Sequence, residues 1–263
     1  HRRAASHRPG ARVSSPRVSV VIPALNEERT VAGVVRTCLE SRAARDGGEV
    51  LVIDSDSTDA TASEAAAAGA RVVNWRDVGP GKTVPGKGEA LWRGVRAASG
   101  DVVVFVDADV TSLRPGWVDA LAAPFADPAI HLVKATYTRE LNGGPGGGRV
   151  TELTAKPLLR ALFPELGHIS QPLAGEYAIR RSTALSLPFV AGYGVEVGLL
   201  LDVASSHTPA AVTEVQLSAR RHRNRPLGEL APMADVIVAT ILDRAAGRGA
   251  LGEVQQRAAW GGK

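Results

Sequence analysis

Apolar runs rich in β-branched residues alternate with segments of helical period through the first half of the chain. Val18-Ser-Val-Val-Ile22, Glu49-Val-Leu-Val-Ile53, Ala70-Arg-Val-Val73 and Val102-Val-Val-Phe-Val106 are each apolar on both parities. In Val102–Val106, where every residue is apolar, that is the pattern of a strand buried on both faces of a parallel sheet. Pro23 is expected to end the first strand, and Ala24-Leu-Asn-Glu-Glu28 to turn into a helix over Thr30 to Leu39. Thr58 or Asp59 can cap an Ala-rich helix running to Ala68, which Gly69 ends. A Gly/Pro/Lys loop over Gly79 to Gly88 leads into a helix from Glu89 to Ala98. The order β-α-β-α-β-loop-α-β predicts an α/β fold, an open, mostly parallel, doubly wound sheet flanked by helices.

Beyond Asp109 the alternation is less regular. Trp117 to Phe125 reads as a helix, and His131 to Tyr137 as a strand with one wet face. Asn142 to Gly148 holds five Gly and one Pro, the composition of a loop. Thr151 to Leu162 is helical in pattern with a break at Pro157. Gly175 to Arg180 and Val212 to Ala219 are expected strands flanking a helix from Val195 to Ala204, and an amphipathic helix covers Leu227 to Arg244. The expected organisation is a basic leader (1–17), one domain (18–245) and a tail (246–263). The domain has a nucleotide-binding half (18–111) and a smaller mixed, acceptor-binding half (112–245).

With 44% hydrophobic residues in 263, the chain can bury a real core. Its net charge of +4 is local, because the first 17 residues carry five Arg and no acid. No basic face is interleaved with aromatics, so nucleic acid is not an expected partner. A mild positive balance suits phosphorylated small molecules. The single cysteine, Cys38, excludes an intrachain disulfide and fits a reducing cytoplasm. No run reaches membrane-spanning length, so no membrane partner is expected.

The chemistry gathers at strand ends. Val102-Val-Val-Phe-Val-Asp-Ala-Asp109 is an apolar strand stopping on two acids. If the strand continued, Asp107 and Asp109 would leave the same face as hard oxygen ligands for Mg2+ or Mn2+. Asn26-Glu27-Glu28 and Asp54-Ser55-Asp56 close two other strands, and a parallel sheet aligns all three clusters on its carboxyl edge, where such folds bind ligands. Helix capping accounts for any one of them; it accounts poorly for three. Pro85-Gly86-Lys87-Gly88-Glu89 offers close backbone approach and a compact charge at a helix start. It lacks Walker-loop spacing, and a merely flexible loop is the plain alternative. Gly146-Gly-Gly-Arg149-Val-Thr151 forms a possible anion pocket, or a linker with a capping Thr. Arg220-Arg-His222-Arg-Asn224-Arg225 is either a solvated face or a set of groups closing over phosphates, with His222 as a further metal ligand. Glu196, after Gly192-Tyr193-Gly194, can accept from sugar hydroxyls or simply favour a helix N-terminus.

Val20-Val-Ile-Pro-Ala-Leu-Asn-Glu-Glu28, Asp54-Ser-x-Ser-Thr-Asp59 and the Asp-x-Asp strand end resemble GT-A glycosyltransferases. A narrower set resembles the retaining glucosyl-3-phosphoglycerate synthases of actinobacteria, glycosyltransferase family 81. It comprises Pro85-Gly-Lys-Gly-Glu-Ala-Leu-Trp-Arg93, Gly147-Gly-Arg-Val-Thr-Glu-Leu153, Gly175-Glu-Tyr-Ala178, Gly192-Tyr-Gly-Val-Glu196 and His222-Arg-Asn-Arg-Pro-Leu227. The resemblance implies a GT-A fold, a homodimer and metal-dependent transfer of glucose from UDP-glucose to 3-phosphoglycerate. It assigns Pro23, Ala24, Leu25, Glu27, Ser55, Lys87, Asp107 and Ala108 to the sugar nucleotide, and Asp109 and His222 to the metal. Glu196 would hold the transferred sugar, and with Asp109 and Lys87 make up the catalytic set. Gly148, Arg149, Val150, Thr151, Tyr193, Arg220 and Asn224 would hold the small phosphorylated acceptor. The implied mechanism is front-face attack, the leaving phosphate taking the acceptor's proton.

Two departures stand out: Asp56 occupies a position where the family pattern calls for Gly, and the segment Arg139 to Gly148 is short. Close alternatives are GDP-mannose or another sugar nucleotide as donor, or a different acceptor. A sugar-phosphate nucleotidyltransferase would carry a Gly-x-Gly-Thr-Arg-type loop after the first strand, where this chain has Pro-Ala-Leu-Asn-Glu-Glu. A noncatalytic nucleotide-binding protein is the remaining alternative.

Overall fold

The protein is described by a computed structural model covering residues 15–141, 144–145, 148–221 and 226–246. Most of the basic leader, parts of the Gly-rich segment, His222, Asn224 and the tail lie outside these residues. A seven-stranded sheet runs in the order β3-β2-β1-β4-β8-β5-β9. Its strands are β1 (Val18–Ala24), β2 (Glu49–Asp54), β3 (Arg71–Asn74), β4 (Val102–Phe105), β5 (Leu132–Thr136), β8 (Tyr177–Arg180) and β9 (Val212–Gln216). β8 runs antiparallel to both neighbours and the other pairings are parallel. A small second sheet pairs β10 (Arg220–Arg221) with β6 (Arg139–Leu141), and β6 with β7 (Gly144–Pro145).

Residue parity along the strands divides the interior into two cores. Val21, Leu51, Ile53, Val103 and Phe105 face one side; Val20, Ile22, Val50, Val52 and Val104 face the other. On the first side lie α4 (Lys87–Ala97), α6 (Lys156–Leu162), α8 (Val195–Ser206) and α9 (Leu227–Arg244). On the second lie α1 (Val31–Leu39), α3 (Thr61–Ala67) and α5 (Pro115–Ala122). Short α2 (Arg42–Arg45) and α7 (Arg181–Leu185) complete the set. Helix α1 buries Val31, Val34, Val35 and Cys38, one stripe at helical spacing. Burial pushes the Cys38 thiol up to about 12, so it is an inert core group. At Gly94 of α4 an added Cβ would lie 2.5 Å from Val21 Cγ1, so only glycine allows this helix–sheet approach. No helix among the described residues is long and apolar enough to cross a membrane.

Several elements differ from the sequence expectation. β1 continues through Pro23 to Ala24, because its pairing with β4 stops at Val21 and leaves no bond on that side for the missing N–H. α4 begins at Lys87, two residues early, which makes Lys87 the first helical residue. The expected wet face of β5 is confined to its end: Lys134 is fully buried and only Thr136, on the same face, is half-exposed. The break near Pro157 takes the form of a π-helical turn (Thr151–Ala155) that passes into α6. Asp59 Oδ1 accepts from the Thr61 N–H at 2.9 Å and so caps α3, whereas the Thr58 N–H is turned to Asn26 Oδ1 at 2.8 Å.

At the amino edge of the sheet, Glu49 accepts from Ser19 Oγ (2.6 Å), the Ser99 N–H (2.8 Å) and Ser99 Oγ (2.8 Å), and pairs with Arg71 (3.0 Å). Burial alone would raise its pKa; the hydrogen bonds from Ser19, Ser99 and Arg71 outweigh this and bring it from the usual 4.5 to about 2. A carboxyl that binds its proton less tightly when folded stabilises the fold above the unfolded pKa and loses that contribution as pH falls through the folded one. The urea midpoint should therefore drop between pH 5 and pH 3 by more in the wild type than in Glu49→Gln, measured by circular dichroism. Parallel pH profiles would show that Glu49 contributes no linkage.

Candidate active site

Strands β1, β2 and β4 are adjacent and parallel, so their carboxyl ends meet at the point where the chain order reverses around β1. The first two acidic clusters largely lock their loops to each other. The Asn26 N–H donates to Ser57 Oγ (2.9 Å), the Glu27 N–H to Thr61 Oγ1 (2.8 Å) and the Glu28 N–H to Asp59 Oδ2 (3.2 Å). Glu28 Oε2 in return accepts from the Ala60 N–H at 3.0 Å. Asn26 takes a left-handed conformation, φ 55°, which its short amide side chain tolerates. These bonds leave Leu25 exposed, Pro23, Glu27 and Ser55 half-buried, and Ala24 buried along one rim.

Asp56 also sits at positive φ, 63°. Glycine adopts this conformation without strain, which is the physical reason for the expected Gly. In this chain the acid is retained by partners of its own. Its carboxylate accepts from Trp75 Nε1 (2.8 Å), Arg76 Nε (2.7 Å) and Asn74 Nδ2 (3.1 Å), and the Trp75 bond leads in holding its pKa below the usual value. The 3-10 turn Trp75–Asp77 is thereby tied to the rim. Buried Arg93 fixes the same turn from below, donating to the carbonyls of Trp75 (3.1 Å) and Val78 while pairing with Glu89 at 2.7 Å.

The centre of the site is a chain of charges. Lys87 Nζ lies 2.6 Å from Asp107 Oδ1 and 2.8 Å from Glu196 Oε1. Burial would lower the Lys87 pKa; the Asp107 and Glu196 carboxylates more than reverse this and raise it well above the usual value. Arg220 Nη2 lies 3.2 Å from Asp107 Oδ2 and 3.2 Å from Glu176 Oε1. Glu176 is fully buried, and burial drives its pKa up against the pull of Arg220. Glycines make room for this assembly. An added Cβ at Gly175 would meet Asp107 Oδ2 at 2.5 Å, and one at Gly88 would meet the Val190 carbonyl oxygen at 1.7 Å.

The two acids of the strand end part company. β4 stops at Phe105, so the period-two argument does not carry to residues 107 and 109. Asp107 is drawn in by two cations, while Asp109 is exposed and makes no ion pair among the described residues. The strand-parity argument for both acids leaving one face is therefore corrected, and of the two Asp109 is the exposed hard oxygen donor. No cluster of three or more metal-ligating side chains occurs among the described residues, and His222 lies outside them. Gly148 (φ 72°), exposed Arg149, half-buried Val150 and buried Thr151 open the π-helical turn, and the Glu152 N–H bonds back to Gly148 O at 2.9 Å. Tyr193 is exposed just before α8, whose first turn carries Glu196. Ala108 is buried beside the acids. The sequence reading assigned no role to Lys134, Gly175, Glu176 and Tyr177; the available signal was a lysine set in an otherwise apolar strand.

Residues 19–185 match the sequence profile of glycosyl transferase family 2. The chain is 48% identical over 239 residues to glucosyl-3-phosphoglycerate synthase of Mycolicibacterium paratuberculosis, covering 86% of this chain and 72% of that protein. It is 47% identical over 257 residues to the enzyme of that name from Mycobacterium tuberculosis, covering 90% and 78%. A crystal structure of the Mycobacterium tuberculosis enzyme in complex with Mn2+, UDP-glucose and phosphoglyceric acid superposes with a TM-score of 0.81 at 47% identity, covering 91% of this chain and 86% of that one.

The contact at Gly88 can be tested without reference to activity. Gly88→Ala should cost about 3 kcal/mol in urea unfolding through overpacking against Val190. Gly33→Ala, at an exposed helical position with nothing within 4 Å, should gain about 0.5–1 kcal/mol. Equal stability of the two variants would contradict the packing described.

Proposed function

The chain belongs to glycosyl transferase family 2, and from that premise we propose that it transfers glucose from UDP-glucose to 3-phosphoglycerate with retention at the anomeric carbon. The observation that carries the reading is the Asp107–Lys87–Glu196 chain at the carboxyl edge, with Asp109 left open beside it. Identity of 48% and 47% to synthases of that name, over 86% and 90% of the chain, supports the donor and the acceptor.

In this reading the half up to residue 111 binds the nucleotide and the half after it binds the acceptor. Pro23, Ala24, Leu25, Glu27 and Ser55 form the nucleoside rim, with Asp107 and Ala108 beyond it. The exposed Asp109 carboxylate fits a divalent ion such as Mn2+ or Mg2+, with His222 as second ligand. Bound there, the ion supplies Lewis-acid neutralisation of charge on the leaving diphosphate. Glu196, fixed by Lys87 at 2.8 Å, accepts hydrogen bonds from the glucose hydroxyls and holds the ring in register. Lys87 keeps Glu196 and Asp107 at a set spacing and adds positive potential near the diphosphate. Gly148, Arg149, Val150 and Thr151 hold the acceptor phosphate, with Tyr193, Arg220 and Asn224 closing around phosphoglycerate. The reading extends to a homodimer in the cytoplasm. A single buried cysteine and the exposed Leu227 and Leu242 on the last helix agree with it.

A donor-by-acceptor grid tests the assignment, crossing UDP-glucose and GDP-mannose with 3-phosphoglycerate in Mn2+ and scoring sugar transfer apart from donor hydrolysis. Transfer from GDP-mannose alone would overturn the donor. Asp109→Ala should lower kcat by about 100-fold or more while the thermal melt stays cooperative. A folded variant with near-normal turnover would remove Asp109 from the metal site. Arg149→Ala should raise the acceptor KM by about tenfold and leave the UDP-glucose KM within about twofold; an unchanged acceptor KM speaks against the phosphate role.

A further inference from the structure

Lys134 is a buried cation that the reaction outlined above does not use. It faces Tyr177 across the antiparallel β5–β8 pair, its Nζ 4.3 Å from the ring centre. The ammonium donates to the Ala174 carbonyl at 2.8 Å. An apolar residue would fill this strand position without the cost of desolvating a charge. What the lysine adds is where its bond falls. Ala174 immediately precedes Gly175, where an added Cβ would lie 2.5 Å from Asp107 Oδ2 and 3.3 Å from Lys87 Nζ.

Electrostatics gives Lys134 a second role. Asp107, Asp109, Glu176, Glu196 and Glu214 act on Lys87, Arg220 and Lys134, so acids outnumber cations among these described groups. Removing the Lys134 charge makes the floor more negative where an anionic diphosphate has to bind.

We propose that Lys134 is a positioning residue for glucosyl transfer, holding Ala174 and Gly175 against the Asp107–Lys87 pair and adding positive charge to the floor of the donor site. The inference rests on the proposed function. Burial draws the Lys134 ammonium down to about 8, against the pull of Glu196 on α8 and with the push of Lys87 on α4; Glu176 just before β8 and Glu214 on β9 act upward. Lys87 and Tyr177 are both shifted well above their usual values, so neither titrates in the same range. Lys134 is charged below about pH 8, so its contribution is present at neutral pH and fades as pH rises through that value.

The test uses the full chain with saturating Mn2+, as wild type, Lys134→Met and Lys134→Arg. The readouts are kcat, both KM values and UDP affinity by calorimetry, from about pH 6.5 to about pH 9.5. At neutral pH, Lys134→Met should lose about tenfold or more in kcat/KM for UDP-glucose with the phosphoglycerate KM within about twofold, and should lose the alkaline fall near pH 8. Lys134→Arg should recover part of the loss. Wild-type UDP affinity should weaken about fivefold between neutral pH and pH 9, and that readout stands even if Lys134→Met does not fold. A folded Lys134→Met within about threefold of wild type, or wild-type UDP affinity unchanged to pH 9, overturns the inference. A wild type that binds UDP with the expected pH dependence yet transfers no glucose would instead overturn the proposed function.

Discussion

One ammonium holds the two halves of the site together. Lys87 begins α4, Asp107 follows β4 and Glu196 lies in the first turn of α8, and the pairs at 2.6 and 2.8 Å join all three. Partly desolvated charges are tolerable only when each has a close partner. Their neighbours are therefore constrained: Arg220 must occupy the other oxygen of Asp107, and residues 88 and 175 must have no side chain. A weaker clamp would let the strand end, the Lys87 loop and α8 drift independently, and orientation is a large part of what such a site contributes.

Three guanidinium groups, Arg93 buried and Arg180 and Arg181 half-buried, do for this protein what large aromatics do elsewhere. Aromatic residues are only 4% of the chain, and small side chains let helices approach the sheet closely. Loops are then fastened through their carbonyls. Arg93 binds those of Trp75 and Val78, Arg180 that of Ile130 at 2.9 Å, and Arg181 that of Val95 at 3.0 Å near the end of α4. Each places five donors in a fixed fork and satisfies backbone acceptors that would otherwise be hidden from water.

The parallel core was legible because its strands are apolar on both parities and its helices carry a clean stripe. One strand on the far side was less so. The period of β5 suggested a solvated face, but sequence does not show whether a lysine meets water or, as Lys134 does, a carbonyl and an aromatic ring. The carboxyl edge was legible as a place: three polar strand ends can meet only there. The partition of labour within it was not. Glu28 and Asp59 are spent on capping, Asp107 is neutralised in ion pairs, and Asp109 alone is left open, distinctions that depend on where β4 stops. Glu176 lay in a motif whose resemblance was evident but whose partner, Arg220, is 44 residues away by number and beside it in space.

The Asp56 turn carries an evolutionary consequence. A side chain at φ 63° is tolerated here because Asn74, Trp75 and Arg76 surround its carboxylate. Neither half of this arrangement is advantageous alone. Without the donors the aspartate is a strained residue, and without the aspartate the indole N–H and the guanidinium lose their acceptor. The four positions should be inherited as a block, so lineages with glycine at position 56 should show no preference for Trp and Arg at 75 and 76. This corner of the carboxyl edge can thus change its sequence only by a coordinated step.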